Sequence, residues 1–196
     1  MKLKELTDVQ LVEQYLAGNS RCFDVLLNRH KRRLFTYIYL MVKKRDLAED
    51  IFQDTFIKII NSLKNGKYND DGKFIAWATR IAHNLIIDHF RKEQNLKTVS
   101  NDSYEADLFN SIPLADKPVE ASIISQQINS DLRKLIEYLP SEQKEIILMR
   151  HYIGMSFKEI AEETNVSINT ALGRMRYALI NLRRIIEEKK IQLTEA

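Results

Sequence analysis

The 196-residue chain has 44% hydrophobic residues, only five Gly and three Pro, and 30 Lys and Arg against 27 Asp and Glu. With few alternating runs, that composition argues against a sheet-rich or disordered protein and predicts an all-α one, long enough for two small domains with modest cores. The single cysteine, Cys22, excludes an internal disulfide framework and a thiolate zinc cluster, and no stretch approaches a signal peptide or the roughly 20 apolar residues of a membrane span, so a cytoplasmic protein with no membrane insertion of its own is expected.

Charge is unevenly spread. Residues 1–95 hold 17 basic against 12 acidic side chains, residues 96–125 hold 2 against 5, and residues 126–196 hold 11 against 10. An acidic middle therefore separates a basic N-terminal part from a nearly balanced C-terminal part whose basic residues cluster late.

In chain order, Thr7 and Gln10 form a capping box that opens a short helix, with Val9, Leu11, Val12, Tyr15 and Leu16 as its apolar stripe and Gly18-Asn19 as its stop. A longer helical pattern runs from Ser20 to about Lys44. Its basic run His30-Lys31-Arg32-Arg33 has the charge for a DNA contact, but a solvated helix face is the simpler reading. The next helix, Asp46 to Leu63, has Ala48, Ile51, Phe52, Thr55 and Ile59 on one face. Glu49, Asp50, Gln53 and Asp54 share the other with Ile57, an apolar residue among carboxylates that hints at a protein contact.

After the turn-rich NGKYNDDG, a helical pattern covers FIAWATRIAHNLIIDHFRK. At 100° per residue Phe74, Trp77, Ala78, Ile81 and Leu85 fall on one face; Arg80, Asn84 and Arg91 fall on another, with His83 beside them. Cations and an amide with aromatics nearby suit single-stranded nucleic acid, whose phosphates need positive charge and whose unstacked bases need hydrogen bonds and flat partners. Trp77 lies in the apolar set, where packing is its expected role.

Residues 96–125 keep no period, include two prolines and are acidic, so they read as a linker between domains at 1–95 and 126–196. Helices are then expected from Ser122 to Tyr138, from Ser141, from Ser156 to Thr164, and from Ser167 to about Lys189. Ser156 and Glu159 make a capping box, and Asn165-Val166-Ser167 ends one helix and caps the next, the grammar of a helix-turn-helix. The second helix of that motif enters the major groove, so Ser167, Asn169, Thr170, Gly173, Arg174 and Arg176 are candidate DNA contacts. The alternative is a helical hairpin in an ordinary bundle, with its arginines in water. Gly173 is conspicuous in either case, because a mid-helix glycine gives up roughly 1 kcal/mol relative to alanine.

The four histidines, His30, His83, His89 and His151, lack metal-site spacing, and neither a phosphate loop nor a nucleophile elbow is present, so no metal, no cofactor and no enzymatic activity are expected.

The segments LAEDIFQDTFIKI, GKFIAWATRIAHNLIIDHFRK and LPSEQKEIILMRHYIGMSFKEIAEETNVSINTALGRMRYAL, in this order and spacing, resemble the bacterial RNA polymerase sigma factors of the extracytoplasmic-function (ECF) group. The resemblance implies two helical domains joined by a flexible acidic linker, 96–125, with core RNA polymerase and promoter DNA, both duplex and melted non-template strand, as partners, and an anti-sigma factor as a further one. It matches Gln53 and Asp54, on the face shared with Glu49, Asp50 and Ile57, to the helix that grips the polymerase clamp. Asn84, with the loop Asn65 to Lys73, matches the receiver of a flipped-out base of the minus-ten element, which places Lys73, Arg80, His83 and Arg91 in the same interface. Ser167 to Arg176 matches the reader of the minus-thirty-five element. This sequence departs from the family at Leu172 and Tyr177, often basic elsewhere, at Asn169, often glycine, and at Gly173, usually serine. A regulator binding an operator unaided through its helix-turn-helix is the rival expectation.

Overall fold

The computed structural model of the protein describes residues 3–68, 72–97 and 135–189. The expected linker beyond residue 97, with Asp102, Glu105, Asp107, Asp116 and Glu120, and most of the helix expected from Ser122 to Tyr138 lie outside the described residues.

Four α-helices form the N-terminal part: α1 (Asp8–Leu16), α2 (Ser20–Val42), α3 (Arg45–Lys64) and α4 (Phe74–Lys97). The expected capping box is present, with the Gln10 amide N–H donating to Thr7 Oγ1 and the Thr7 amide N–H to Gln10 Oε1. α2 ends where Lys43 turns left-handed at φ 59°, and α4 runs five residues past the predicted Lys92.

The core is a three-way seam of α2, α3 and α4 closed at one end by α1. Leu26, Leu34, Tyr37 and Ile38 from α2 meet Ile59 and Leu63 from α3 and Phe74 and Ile86 from α4, all fully buried. Side chains of this size contribute about 1.5 to 3 kcal/mol each on burial. An aromatic chain, Phe23 to Phe56 to Phe52 to Phe35, locks α2 to α3. Trp77 packs on Tyr68 and Phe74, as its place in the apolar set predicts.

The C-terminal part comprises α5 (Ser141–Ile147), a π-helical segment Leu148–Ile153, α6 (Phe157–Glu163) and α7 (Ile168–Glu188). The wider π turn keeps Leu148, Met149 and Ile153 all buried, and it ends on Gly154 at φ 88°. The helix-turn-helix forms as expected. Ser156 and Glu159 cap α6, Asn165 takes φ 53°, the Val166 amide donates to the Ala161 carbonyl, and Ser167 Oγ caps α7 through the Thr170 amide.

This domain docks on the first one. Arg33 donates from Nε to the Tyr152 carbonyl and from Nη2 to the Ile153 carbonyl, both at 2.8 Å, capping the end of the π turn from the other domain. The expectation of a solvated run at His30–Arg33 holds for Lys31, Arg32 and Arg33, all exposed, although Arg33 also reaches the other domain; His30 is buried, with Nε2 2.7 Å from Asp8 Oδ2.

Because Gly154 sits in the left-handed region with Arg33 Nη2 at 3.7 Å from where a Cβ would lie, Gly154→Ala meets no clash but keeps the backbone penalty. Urea denaturation should show a loss of about 1 kcal/mol; an unchanged midpoint would contradict the account of this turn.

Candidate polymerase and nucleic-acid interfaces

Three surfaces carry the predicted residues. On α3, Asp50, Gln53, Asp54 and Ile57 are exposed and share one face, and Glu49 is partly exposed and paired with Arg45. Ile57 is 56% exposed, while Ala48, Ile51, Thr55 and Ile59 of the same helix are buried. Phe52, expected in the stripe, is partly buried and lies against the core.

The second surface lies where the end of α3 meets α4. A cavity of about 270 Å³ is lined by Lys58, Asn61, Ser62, Asn65, Lys67, Ile81 and Asn84. Asn84 and Arg91 are exposed, and Arg80 is partly so. Three amides, a hydroxyl and two ammonium groups surround one apolar wall, a lining rich in donors for an electron-rich planar ligand. Lys58, Asn61, Ser62 and Asn65 were not singled out together from sequence. Their i, i+3, i+4, i+7 spacing is the signal that could have found them, a polar stripe at helical period.

Lys73, Arg80 and His83 belong to the same end of α4 but turn toward the C-terminal domain. Lys73 Nζ is 2.8 Å from Glu159 Oε1; Arg80 is 3.4 Å from Glu163 and 3.8 Å from Glu162. His83 is buried, its Nδ1 3.2 Å from both Tyr37 Oη and Glu145 Oε1. Placing His83 beside the presented cations holds by angle but not by exposure, because α4 buries a second face beneath the other domain.

Burial pushes Glu145 up to about 7, with Glu142 and Glu163 adding to the rise and Arg174 opposing it, and burial pushes His83 down. Both partners are thus driven toward their uncharged forms, which weakens the contact as an ion pair, while the hydrogen bond at His83 Nδ1 is with Tyr37 Oη. Glu159 behaves oppositely. Burial would raise it, but the Lys73 ammonium and the Ser156 amide and hydroxyl outweigh that and hold it at about 2.

The third surface is the exposed side of α7. Ser167, Asn169, Thr170 and Arg176 are exposed, Gly173 and Arg174 partly so, while Ala171, Met175 and Ala178 face the core. A Cβ built on Gly173 would have nothing within 4 Å, so packing does not explain the glycine. Leu172 and Tyr177 are also exposed, at 44% and 63%.

The sequence matches the family described as Sigma-70 region 2 over residues 26–96 and that described as Sigma-70, region 4 over residues 130–177. The chain belongs to the sigma-70 family. It is 26% identical over 179 residues to the RNA polymerase sigma-H factor of Pseudomonas aeruginosa, covering 88% of this chain and 90% of that one. It is also 26% identical over 190 residues to the ECF RNA polymerase sigma-E factor of Haemophilus influenzae, covering 95% and 96%. Among solved structures, the sigma factor RpoE in complex with the anti-sigma factor NepR from Bartonella quintana has a similar fold, with TM-score 0.65 and 20% identity over 84% of this chain and 96% of that one. As an ECF sigma factor the protein binds core RNA polymerase and directs promoter-specific initiation. Both helical domains are matched, which sets aside the stand-alone regulator. Among the described residues no helix is long and apolar enough to cross a membrane.

The two glutamates set opposite pH dependences. Glu145, raised above its unfolded value of 4.5, contributes stability below about pH 4.5 that is lost as pH rises to 7, so Glu145→Gln should flatten the decline seen in urea denaturation between about pH 4.5 and pH 7. Glu159, lowered to about 2, contributes stability above its unfolded 4.5 that is lost as pH falls toward 2. Glu159→Gln should therefore be less stable than wild type at pH 7 and converge with it only near pH 2; parallel curves for either variant would contradict these assignments.

Proposed function

We propose that the three surfaces divide initiation between them. The exposed α3 face, Glu49, Asp50, Gln53, Asp54 and Ile57, docks on core RNA polymerase, with Ile57 as the apolar centre and the carboxylates as its polar rim. The α3–α4 cavity receives a base extruded from the minus-ten element, while Lys73, Arg80, His83 and Arg91 serve the non-template strand beside it. α7 enters the major groove of the minus-thirty-five element, with Ser167, Asn169, Thr170, Arg174 and Arg176 toward bases and phosphates. Sigma factors are not themselves enzymes, and the chemistry required is recognition.

The observation that carries this reading is the cavity itself. At about 270 Å³ it falls below the roughly 300 to 1,000 Å³ of drug-sized pockets. Its lining includes Asn84, the outward amide of α4, with the ammonium groups of Lys58 and Lys67. Extruding a base costs a few kcal/mol of stacking, which amide contacts in the cavity and phosphate contacts on α4 offset.

On heteroduplex and duplex promoter templates with core polymerase, Asn84→Ala should lower open-complex formation on duplex about tenfold and leave core binding unchanged. It should regain activity on a template already melted at the minus-ten element. Equal loss on both templates would remove Asn84 from melting.

A glycine with open space around it permits a large residue to fold. Gly173→Leu should raise the thermal midpoint slightly, because leucine is the better helix former, and lose upstream promoter recognition in footprinting; retained footprints would show that the helix does not approach DNA at this residue.

A further inference from the structure

Along the exposed side of α7, Asn169, Gly173 and Arg176 are spaced i, i+4 and i+7, which puts them within about 60° of one another around the helix. Asn169 and Arg176 stand about 10 Å apart along the axis. The side chains on this line run short, absent and long. Asn169 and Arg176 are exposed, and neither makes a hydrogen bond or an ion pair among the described residues. We propose that this line sets promoter specificity: Asn169 reads an adenine, Arg176 reads a guanine two base pairs away, and Gly173 lies over the pair between them with no side chain to read it. This assignment rests on the reading of α7 as the helix of the minus-thirty-five element, whose bases it names.

The first support is availability. Ser167 Oγ lies 2.8 Å from Thr170 Oγ1 and accepts from the Thr170 amide at 3.0 Å, so both hydroxyls are engaged in the helix cap. Arg174 is only partly exposed, and its charge acts on Glu145. Leu172 and Tyr177, both exposed, flank the line on opposite sides, where the groove walls would stand. Asn169 and Arg176 keep their donors and acceptors for a partner.

The second is reach. A recognition helix enters the groove with its N-terminal residues nearest the bases. A short amide therefore reads a base edge only from the first turn, where Asn169 stands, and only if no side chain one turn further holds the backbone off. Gly173 meets that condition, and since a Cβ there would have nothing within 4 Å, the protein's own packing gives no reason for the glycine. At the third turn, where a tilted helix has moved away from the bases, the longest side chain takes over.

The third is chemistry. An asparagine amide pairs with adenine, donating from Nδ2 to N7 and accepting at Oδ1 from the N6 amino group; a guanidinium donates two hydrogen bonds to guanine O6 and N7. A helix in the groove advances about one base pair for each three or four residues. The seven-residue interval between Asn169 and Arg176 then corresponds to two steps.

The test uses the full chain with core polymerase on a promoter pool randomised at both elements; open complexes are captured and sequenced, and base preferences are read at the upstream element. Wild type should favour adenine, on either strand, at one position and guanine two pairs away, each about tenfold over the alternatives, with a weaker preference at the pair between. Asn169→Ala should flatten only the adenine position, and Arg176→Ala only the guanine position. Both side chains are exposed, and the readout is a ratio of bases within one protein, so a change in overall output does not imitate it. Absence of any upstream base preference in wild type would refute α7 as the reader, and this assignment with it. A clear wild-type preference that survives both substitutions, flattens everywhere with either one, or falls on neighbouring pairs would refute the assignment alone and leave α7 in the groove.

Discussion

The structure turns on a buried meeting point between domains, where Tyr37 of α2, His83 of α4 and Glu145 of α5 come within 3.2 Å of His83 Nδ1. Removing a carboxylate and an imidazole from water is expensive unless they satisfy each other. Once the C-terminal domain is docked, these groups have few other partners. Their contact lies beside the larger packing of the π-helical segment on α2 and α4, and the α6 carboxylates reach Lys73 and Arg80 from the same docked domain. Arg33 secures the same arrangement from α2 by donating to the Tyr152 and Ile153 carbonyls at the end of the π turn.

Much of this architecture was legible in the sequence wherever its cause is local. Thr7 with Gln10 and Ser156 with Glu159 form the capping boxes their spacing predicts, and Asn165 with Ser167 makes the turn of the helix-turn-helix. The α3 stripe and the isolated exposure of Ile57 follow from period alone. What period does not convey is a helix with two buried faces. A wheel for α4 assumes one core side, so it groups His83 with Asn84 and Arg80, whereas Thr79, His83 and Ala76 are covered as well as Phe74, Ala78 and Ala82. Arg33 escaped for a related reason: its partners lie 119 and 120 residues away, beyond any local rule.

The candidate sites were legible in part. Asn84 needed only the helical period to be placed outward. The cavity needed a second helix, because Lys58, Asn61, Ser62 and Asn65 form a polar stripe that means little until Ile81 and Asn84 close it. Gly173 shows the converse. Its lack of internal neighbours removes the packing explanation and leaves approach by an external partner, for which the absence of a side chain is an advantage.

These features describe a sigma factor in which the α3 face proposed for polymerase is exposed while α4, the helix proposed to bind the strand, is engaged by the protein's own second domain. The most direct measurement is the distance between spin labels at Glu13→Cys and Arg184→Cys, both exposed positions, with the buried Cys22 shielded from labelling. Pulsed electron resonance on the free chain should give a single narrow distance distribution that is replaced by a different one when core polymerase is added. A broad distribution in the free chain, or the same narrow one in the complex, would contradict the account.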